Sequence, residues 1–300
     1  MKKFLLNLLL IGVFYFANAT MMLNSVIIPL GYDAKLCSLI TGTNGSVNYN
    51  LIRINRKGNR IKADYMSWAG SASSIEERYN RFALTHPNIV TYTSGAYMIG
   101  SPGNWTPEGL NIDHGVVVNK KLELEKFDAL VIVYPSQGGG GIAVNNLDNN
   151  AVTTNEGVFK IRNSDGRDNQ RFIEWARKNS ATVFQTHLLA EKNVLKLEKN
   201  GATNKDPRER RFLIASKDQS SGDMYHYILQ RKSPATLFDG ANDALDFLKK
   251  RGIDVLWMIN LDTGWQDTFG FFTSDGKKHP NIQGQVGLNG AANLLVYYYE

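Results

Sequence analysis

A single cysteine, Cys37, rules out an intrachain disulfide. Alone, Cys37 reads as a small buried apolar side chain, because a thiol nucleophile would need a histidine and an orienting partner that the sequence does not place. Long runs of one charge are also missing: the 34 Lys and Arg and 28 Asp and Glu are interspersed, which argues against a dedicated nucleic-acid role and leaves only modest attraction to anionic sugars or phosphates. The chain has no G-x-S-x-G elbow, no H-E-x-x-H and no paired Cys/His zinc spacing, so no cofactor and no metal ligand is singled out, while the acidic residues leave metal dependence open. Internal repeats and low-complexity tracts are absent, and the eight prolines are dispersed rather than gathered into a linker. One continuous folding unit of residues 20–300 is expected, large enough to stand without disulfides.

One apolar run does stand out. It extends from Phe4 to Phe16, behind Met1-Lys2-Lys3 and ahead of Ala17-Asn18-Ala19. A basic start, a short apolar stretch and a small-x-small site predict a secretory signal peptide over residues 1–19. The run is shorter than the roughly 20 residues that span a bilayer, and nothing downstream resembles a second span, so no stable membrane insertion is expected after cleavage. Its removal takes away Lys2 and Lys3 from a chain of formal charge +6. The expected location is periplasmic or extracellular. The short, lysine-rich leader looks bacterial, and there the sequons at Asn44 and Asn104 would stay unmodified.

The periodicities predict an α+β fold: mixed, largely antiparallel twisted sheets flanked by a few helices in a single compact domain. Residues 24–66 read as extended, including Val26–Pro29 and Leu51–Ile61, with a turn at Gly42-Thr43-Asn44-Gly45. Ser73-Ser74-Ile75-Glu76 has capping-box spacing ahead of a helix ended by Pro87, and Asn88–Thr93 is a β-branched run. Short strands are predicted at Gly115–Val118, Ala129–Pro135, Ala181–Phe184, Leu213–Ala215 and Met224–Leu229, with a helix capped by Asn169. Thr236–Arg251 carries an apolar stripe, a basic last turn and Gly252 as its stop, and leads into a buried strand, Val255–Leu261; Asn293–Tyr299 is the final strand. Gly138–Ala143 formally fits G-x-G-x-x-A, but no helix pattern follows it, so it reads as a hairpin or cleft loop. Asn163–Asp168 reads as a surface turn that falls short of a calcium loop.

Four elements lie in order at strand ends: Ser94-Gly95-Ala96-Tyr97 followed by Glu108–Val117; Val183-Phe184-Gln185-Thr186-His187; Arg211–Asp218; and Ile259-Asn260-Leu261-Asp262-Thr263-Gly264-Trp265. In order and spacing, over roughly residues 50–299, this set resembles the phosphodiester glycosidase family, with its N-G-G-F/Y, F-Q-x-x-P-x-L, R-T-A-I-G and N-L-D-G-G-G-S-S patterns. The chain departs from them at Ser94, Ala96, His187-Leu188, Phe212 and Thr263–Asp267, while Asn260-Leu261-Asp262 is intact.

The resemblance implies cleavage of a sugar C1–O bond with a phosphomonoester leaving group, through an oxocarbenium-like transition state. Such a site needs a carboxylate near C1 and a cation or N–H donors around the phosphate. Asp262 is the candidate nucleophile, base or charge stabiliser; the alternative is an Asx-turn at the strand end. Arg211 is the candidate phosphate ligand, or else a surface residue of the run Arg208-Glu209-Arg210-Arg211. Gln185 and Asn260 would bind sugar hydroxyls and the N–H groups around Gly95 an oxyanion, with Ser94, His187 and Gly264 also lining the substrate; each can equally satisfy a buried strand end. Trp265 is either a stacking platform or a plug in the substrate's place. Two functions remain: an exported glycosidase for a carbohydrate or sugar-phosphate substrate, or a catalytically degenerate carbohydrate-binding protein. A structural envelope protein without a ligand is a third.

Overall fold

A computed structural model describes residues 31–68, 74–101, 104–135, 140–161, 166–198 and 206–300. The leader, Val26–Pro29, Ser73, Gly138-Gly139 and Asn163–Asp165 lie outside them. The first third forms β1 (Cys37–Asn44), β2 (Val47–Asn55), β3 (Ile61–Ser67), α1 (Ile75–Thr85), β4 (Ile89–Thr93), β5 (Met98–Ser101) and β6 (Asn104–Pro107). The middle adds β7 (Asn111–Asp113), β8 (Val116–Asn119), β9 (Ala129–Val133), β10 (Ile142–Asn146), β11 (Val152–Thr154), β12 (Gly157–Phe159), α2 (Arg167–Lys178), β13 (Thr182–Thr186), β14 (Leu188–Glu191) and β15 (Val194–Leu195). The last third supplies β16 (Arg208–Lys217), β17 (Met224–Ala235), α3 (Leu237–Lys250), β18 (Val255–Leu261), β19 (Phe269–Phe272), β20 (Lys278–Gln283) and β21 (Asn293–Tyr299).

These strands build a seven-stranded sheet in the order β1-β2-β17-β16-β18-β14-β15, and two five-stranded sheets, β10-β9-β13-β7-β8 and β20-β19-β4-β21-β3. The pairings are antiparallel throughout the described residues. This is the α+β architecture that the alternating apolar patterns predict.

The period-2 alternation of side chains explains how the layers close. Leu213, Ile228, Ile259 and Leu261 of the large sheet meet Tyr65, Val90, Phe269 and Leu295 of one small sheet and Val131 and Phe184 of the other in a common central core. The opposite face of each sheet is covered by a helix. Phe212, Ile214, Leu229 and Met258 pack on α3, Ile132 and Val183 pack with Phe172 and Trp175 of α2, and Leu294 and Val296 pack with Ile75 and Tyr79 of α1. Cys37 is buried in the central core, and burial pushes its thiol up to about 12, consistent with an inert apolar role.

Local signals were offset at several points. Helix α1 is capped by Ser74, whose Oγ accepts the Glu77 N–H (3.1 Å), one residue beyond the expected box. Helix α2 starts from Gly166 at φ +66°, and Asn169 lies inside it rather than at its cap. Gly42, Thr43 and Asn44 belong to β1, so the hairpin turns at Gly45-Ser46; the extended run Leu51–Ile61 is broken after Asn55. Strands β9 and β10, which flank the glycine-rich segment, pair antiparallel, with Tyr134 N–H donating to Gly141 O (2.9 Å).

Candidate functional site

Strand β18 ends in the middle of the large sheet, and its last residues set the site. Asn260 pairs with Phe212 and Leu261 with Arg211, so Asn260 shares the helix-facing side of the sheet while Arg211 points into the central core. Just past the strand, the Asp262 N–H donates to Gly95 O (3.1 Å). Its Oδ1 accepts the Gly264 N–H (2.8 Å), and its Oδ2 accepts from Gln266 Nε2. The Asx-turn foreseen for Asp262 is therefore formed. Burial raises the Asp262 pKa, opposed by the hydrogen bonds from Gln266 and Gly264 and by the charge of Arg208.

Gly264 lies close to both that carboxylate and a cation. A Cβ there would lie 3.1 Å from Asp262 Oδ1 and 3.7 Å from Arg208 Nη1. The Arg208 side chain is 36% exposed and meets Asp206 at 3.6 Å, an ion pair at the surface that leaves the guanidinium open to other anions. Next to Gly264, Trp265 is 92% exposed. It fills no space in the protein.

A second group sits on the neighbouring residues. Asn260 Nδ2 donates to the Tyr97 hydroxyl (2.5 Å), while Asn260 Oδ1 is buried without a partner. The ring of His187, at the corner between β13 and β14, is edge-on to Tyr97 (5.4 Å) and Phe127 (5.2 Å). Burial, followed by the charges of Lys126 and Arg210, lowers the His187 pKa to about 4, so the ring is neutral at pH 7. Arg210 donates to Ala235 O (2.9 Å) and Asp206 O (2.8 Å), and burial brings its own pKa down to about 10.

Arg211 is neither a surface residue nor open to a phosphate. It is fully buried, donates to Asp267 Oδ1 (2.6 Å) and Glu209 Oε1 (3.2 Å), and lies 4.0 Å over the Phe269 ring. Asp267 is itself 0% exposed and also accepts the Gln285 N–H (3.2 Å). This is an internal ion pair that ties β16 to the segment leading into β19.

The remaining expected ligands are likewise used by the protein. Ser94 Oγ donates to Gln266 O (2.7 Å) and accepts the Thr268 N–H (2.8 Å). The N–H groups of Gly95 and Ala96 both go to Asn293 Oδ1 (2.7 and 3.1 Å), and Asn293 Nδ2 returns a bond to Ala96 O (3.0 Å), so no oxyanion nest is free there. A Cβ on Gly95 would stand 2.8 Å from the Tyr65 ring, which explains the glycine. Gln185 turns away from Asp262: its Oε1 accepts from Leu110 N (2.8 Å) and Glu123 N (2.9 Å), and its Nε2 donates to Glu123 O (3.1 Å). Replacing Gln185 by alanine would strip one buried and one part-buried N–H group of their acceptor. The expected outcome is a stability loss of about 2–4 kcal/mol in urea denaturation.

Ser94, Arg211 and Asp262 thus converge around the Gln266-Asp267 segment, but Ser94 and Arg211 serve it from inside, and Gln185 does not join them. Arg208, Arg210, Tyr97 and Gln266 face or flank the site and were not singled out in the sequence. The alternation of Arg208 and Arg210 along a strand is the one local signal that could have found two of them. Among the described residues, no group of three His, Cys, Asp or Glu gathers to hold a metal ion, and no helix is long and apolar enough to cross a membrane.

The sequence matches no family model and no curated protein. Among solved structures, the chain is similar to the catalytic domain of zebrafish N-acetylglucosamine-1-phosphodiester alpha-N-acetylglucosaminidase, auto-inhibited by its pro-peptide. The identity is 14%, with 88% of this chain and 82% of that one covered and a TM-score of 0.49. An uncharacterised protein from Synechocystis is 11% identical, with 87% and 61% covered and a TM-score of 0.46; this chain spans less than two thirds of it. A presumed exported protein from Burkholderia pseudomallei is 8% identical, with 84% and 74% covered and a TM-score of 0.43. These are distant relationships of fold.

Proposed function

We propose that this chain is an exported glycosidase acting on a sugar phosphodiester or a related envelope or extracellular glycan. The observation that supports the reading is the nearness of both Asp262 Oδ1 and Arg208 Nη1 to Gly264, beside the exposed ring of Trp265. A carboxylate can stabilise positive charge growing at C1, and a guanidinium can hold the phosphate that leaves. Glu209 and Asp267 are committed to Arg211, so Asp262 acts without a carboxylate partner from that pair. One carboxylate suffices when the leaving group is a phosphomonoester, which departs with little need of a general acid. Trp265 offers the flat apolar surface on which a pyranose stacks. Export rests on the leader-like residues 1–19.

The second reading, a carbohydrate-binding protein without turnover, is favoured by one observation: both Asp262 oxygens already accept hydrogen bonds. Free-sugar release from a panel of sugar-1-phosphodiesters separates the two. Asp262→Asn is expected to lower kcat/KM by about 100-fold or more while the thermal melt stays cooperative. No turnover by the unmodified protein, together with glycan binding that Trp265→Ala abolishes and Asp262→Asn spares, would establish the binding reading instead.

A further inference from the structure

Two amide oxygens near Asp262 are buried without a partner among the described residues: Asn260 Oδ1 and Gln266 Oε1. Both residues are only 2% exposed. The free atom of Gln266 is an acceptor, because its Nε2 donates to the Asp262 carboxylate, which cannot take a bond from a carbonyl oxygen. Asn260 is oriented with Nδ2 donating to the Tyr97 hydroxyl, which leaves Oδ1 as its free atom. The two unmatched oxygens are set two residues before and four residues after Asp262. Buried acceptors left unmatched are costly, and an unmatched pair around one carboxylate marks a place that donors fill.

We propose that Asn260 and Gln266 are specificity-determining residues, which read two hydroxyl donors of the bound sugar, one on each side of the group held at Asp262. This rests on the sugar-site reading above and deepens it. Gln266 falls in the Thr263–Asp267 stretch that departs from the family pattern, so its contact would be particular to this chain. A site built to accept from a hydroxyl rejects the ligand that lacks it, because the oxygen is left dry and unpaired. Tyr97 holds Asn260 and the Asp262 carboxylate holds Gln266, and the Gln266 amide cannot rotate to donate without losing that bond.

The test uses the mature protein and ligand-observed NMR titration with glucose, galactose, mannose and N-acetylglucosamine 1-phosphates, followed by the 2-, 3-, 4- and 6-deoxy analogues of the tightest. Two of the four deoxy analogues are expected to bind roughly tenfold to a hundredfold more weakly than the parent. In Gln266→Met one of these penalties should fall to less than about threefold while the other persists, and in Asn260→Leu the reverse should hold. Tyr97→Phe, which releases the Asn260 amide but deletes one oxygen, should soften the second penalty only. Equal binding of all deoxy analogues, or penalties unchanged in Gln266→Met, would mean that the oxygens hold water alone and would overturn the inference. The glycosidase reading fails separately, through absence of turnover with the deoxy penalties intact. Absence of binding by any of the four sugars would overturn both.

Discussion

Replacing Arg211 by alanine is expected to cost the fold about 3–5 kcal/mol, measured as the shift in a denaturant midpoint at unchanged slope. The cost arises because the fully buried Asp267 carboxylate would lose its guanidinium and keep, among the described residues, the Gln285 N–H as its remaining donor. Glu209 would also lose the guanidinium at 3.2 Å, although Gln230 Nε2 still donates to it at 2.6 Å. Removing both charges, as in Arg211→Met with Asp267→Leu, should restore much of the loss, since a buried pair is typically no better than a well-packed apolar replacement. A phosphate ligand behaves otherwise. If Arg211→Ala leaves the midpoint within about 0.5 kcal/mol and only activity falls, the internal assignment of this arginine is wrong.

The second large effect is a pH dependence. The folded-state pKa of His187 is depressed to about 4 from an ordinary value of 6.5, burial being the main cause. As pH falls through 6.5, the unfolded chain takes up a proton on this ring and the folded chain does not, so stability declines until the folded pKa is reached. At 1.36 kcal/mol per unit, the decline between pH 7 and pH 4 is on the order of 3 kcal/mol from this residue. His226, buried beside Tyr297, is lowered by burial and by Arg56 and acts in the same direction. Asp128 opposes them: burial raises it to about 6, so the folded state protonates first and gains stability as pH falls from about 6 toward 3.8. The clean measurement is therefore a difference. His187→Phe preserves a ring between Tyr97 and Phe127, and its stability relative to the unmodified chain should improve by about 3 kcal/mol from pH 7 to pH 4. A constant difference across that range would show that the ring titrates normally.

How far the sequence reaches depends on how far apart the interacting residues are. Helix α3 is legible to the residue: Thr236 Oγ1 accepts the Asp239 N–H (3.0 Å), and at the other end Gly252 (φ +69°) and Ile253 donate back to Lys249 O and Leu248 O. Every one of those bonds spans a few residues. Strand β21 was also legible, because six consecutive residues, Leu294 to Tyr299, share one apolar, β-favouring character. Arg211 was misjudged for a reason of register. Its neighbours in sequence, Arg208 to Arg210, look like a solvated run, and only the pairing of Arg211 with Leu261 reveals that this arginine faces the central core, while Arg210 is buried on the opposite side of the sheet. Asn293 carried no signal at all, since the groups it satisfies lie 197 and 198 residues earlier. Gln185 was correctly taken as a residue at a strand end with a polar task, but the task belongs to Leu110 and Glu123.

The dependence of the Gly95 turn on Asn293 imposes an order of assembly. Strand β21 enters its sheet between β3 and β4, so two strands from the first hundred residues wait for a partner made last. Until residue 293 is available, the Gly95 and Ala96 amides have no carboxamide to receive them, Tyr97 is not aimed at Asn260, and Asp262 lacks the fixed carbonyl of Gly95. A nascent chain therefore holds Asp262 and Gln266 before it holds the site they form. Pairings of such long separation also form slowly, which keeps the polypeptide loose for longer.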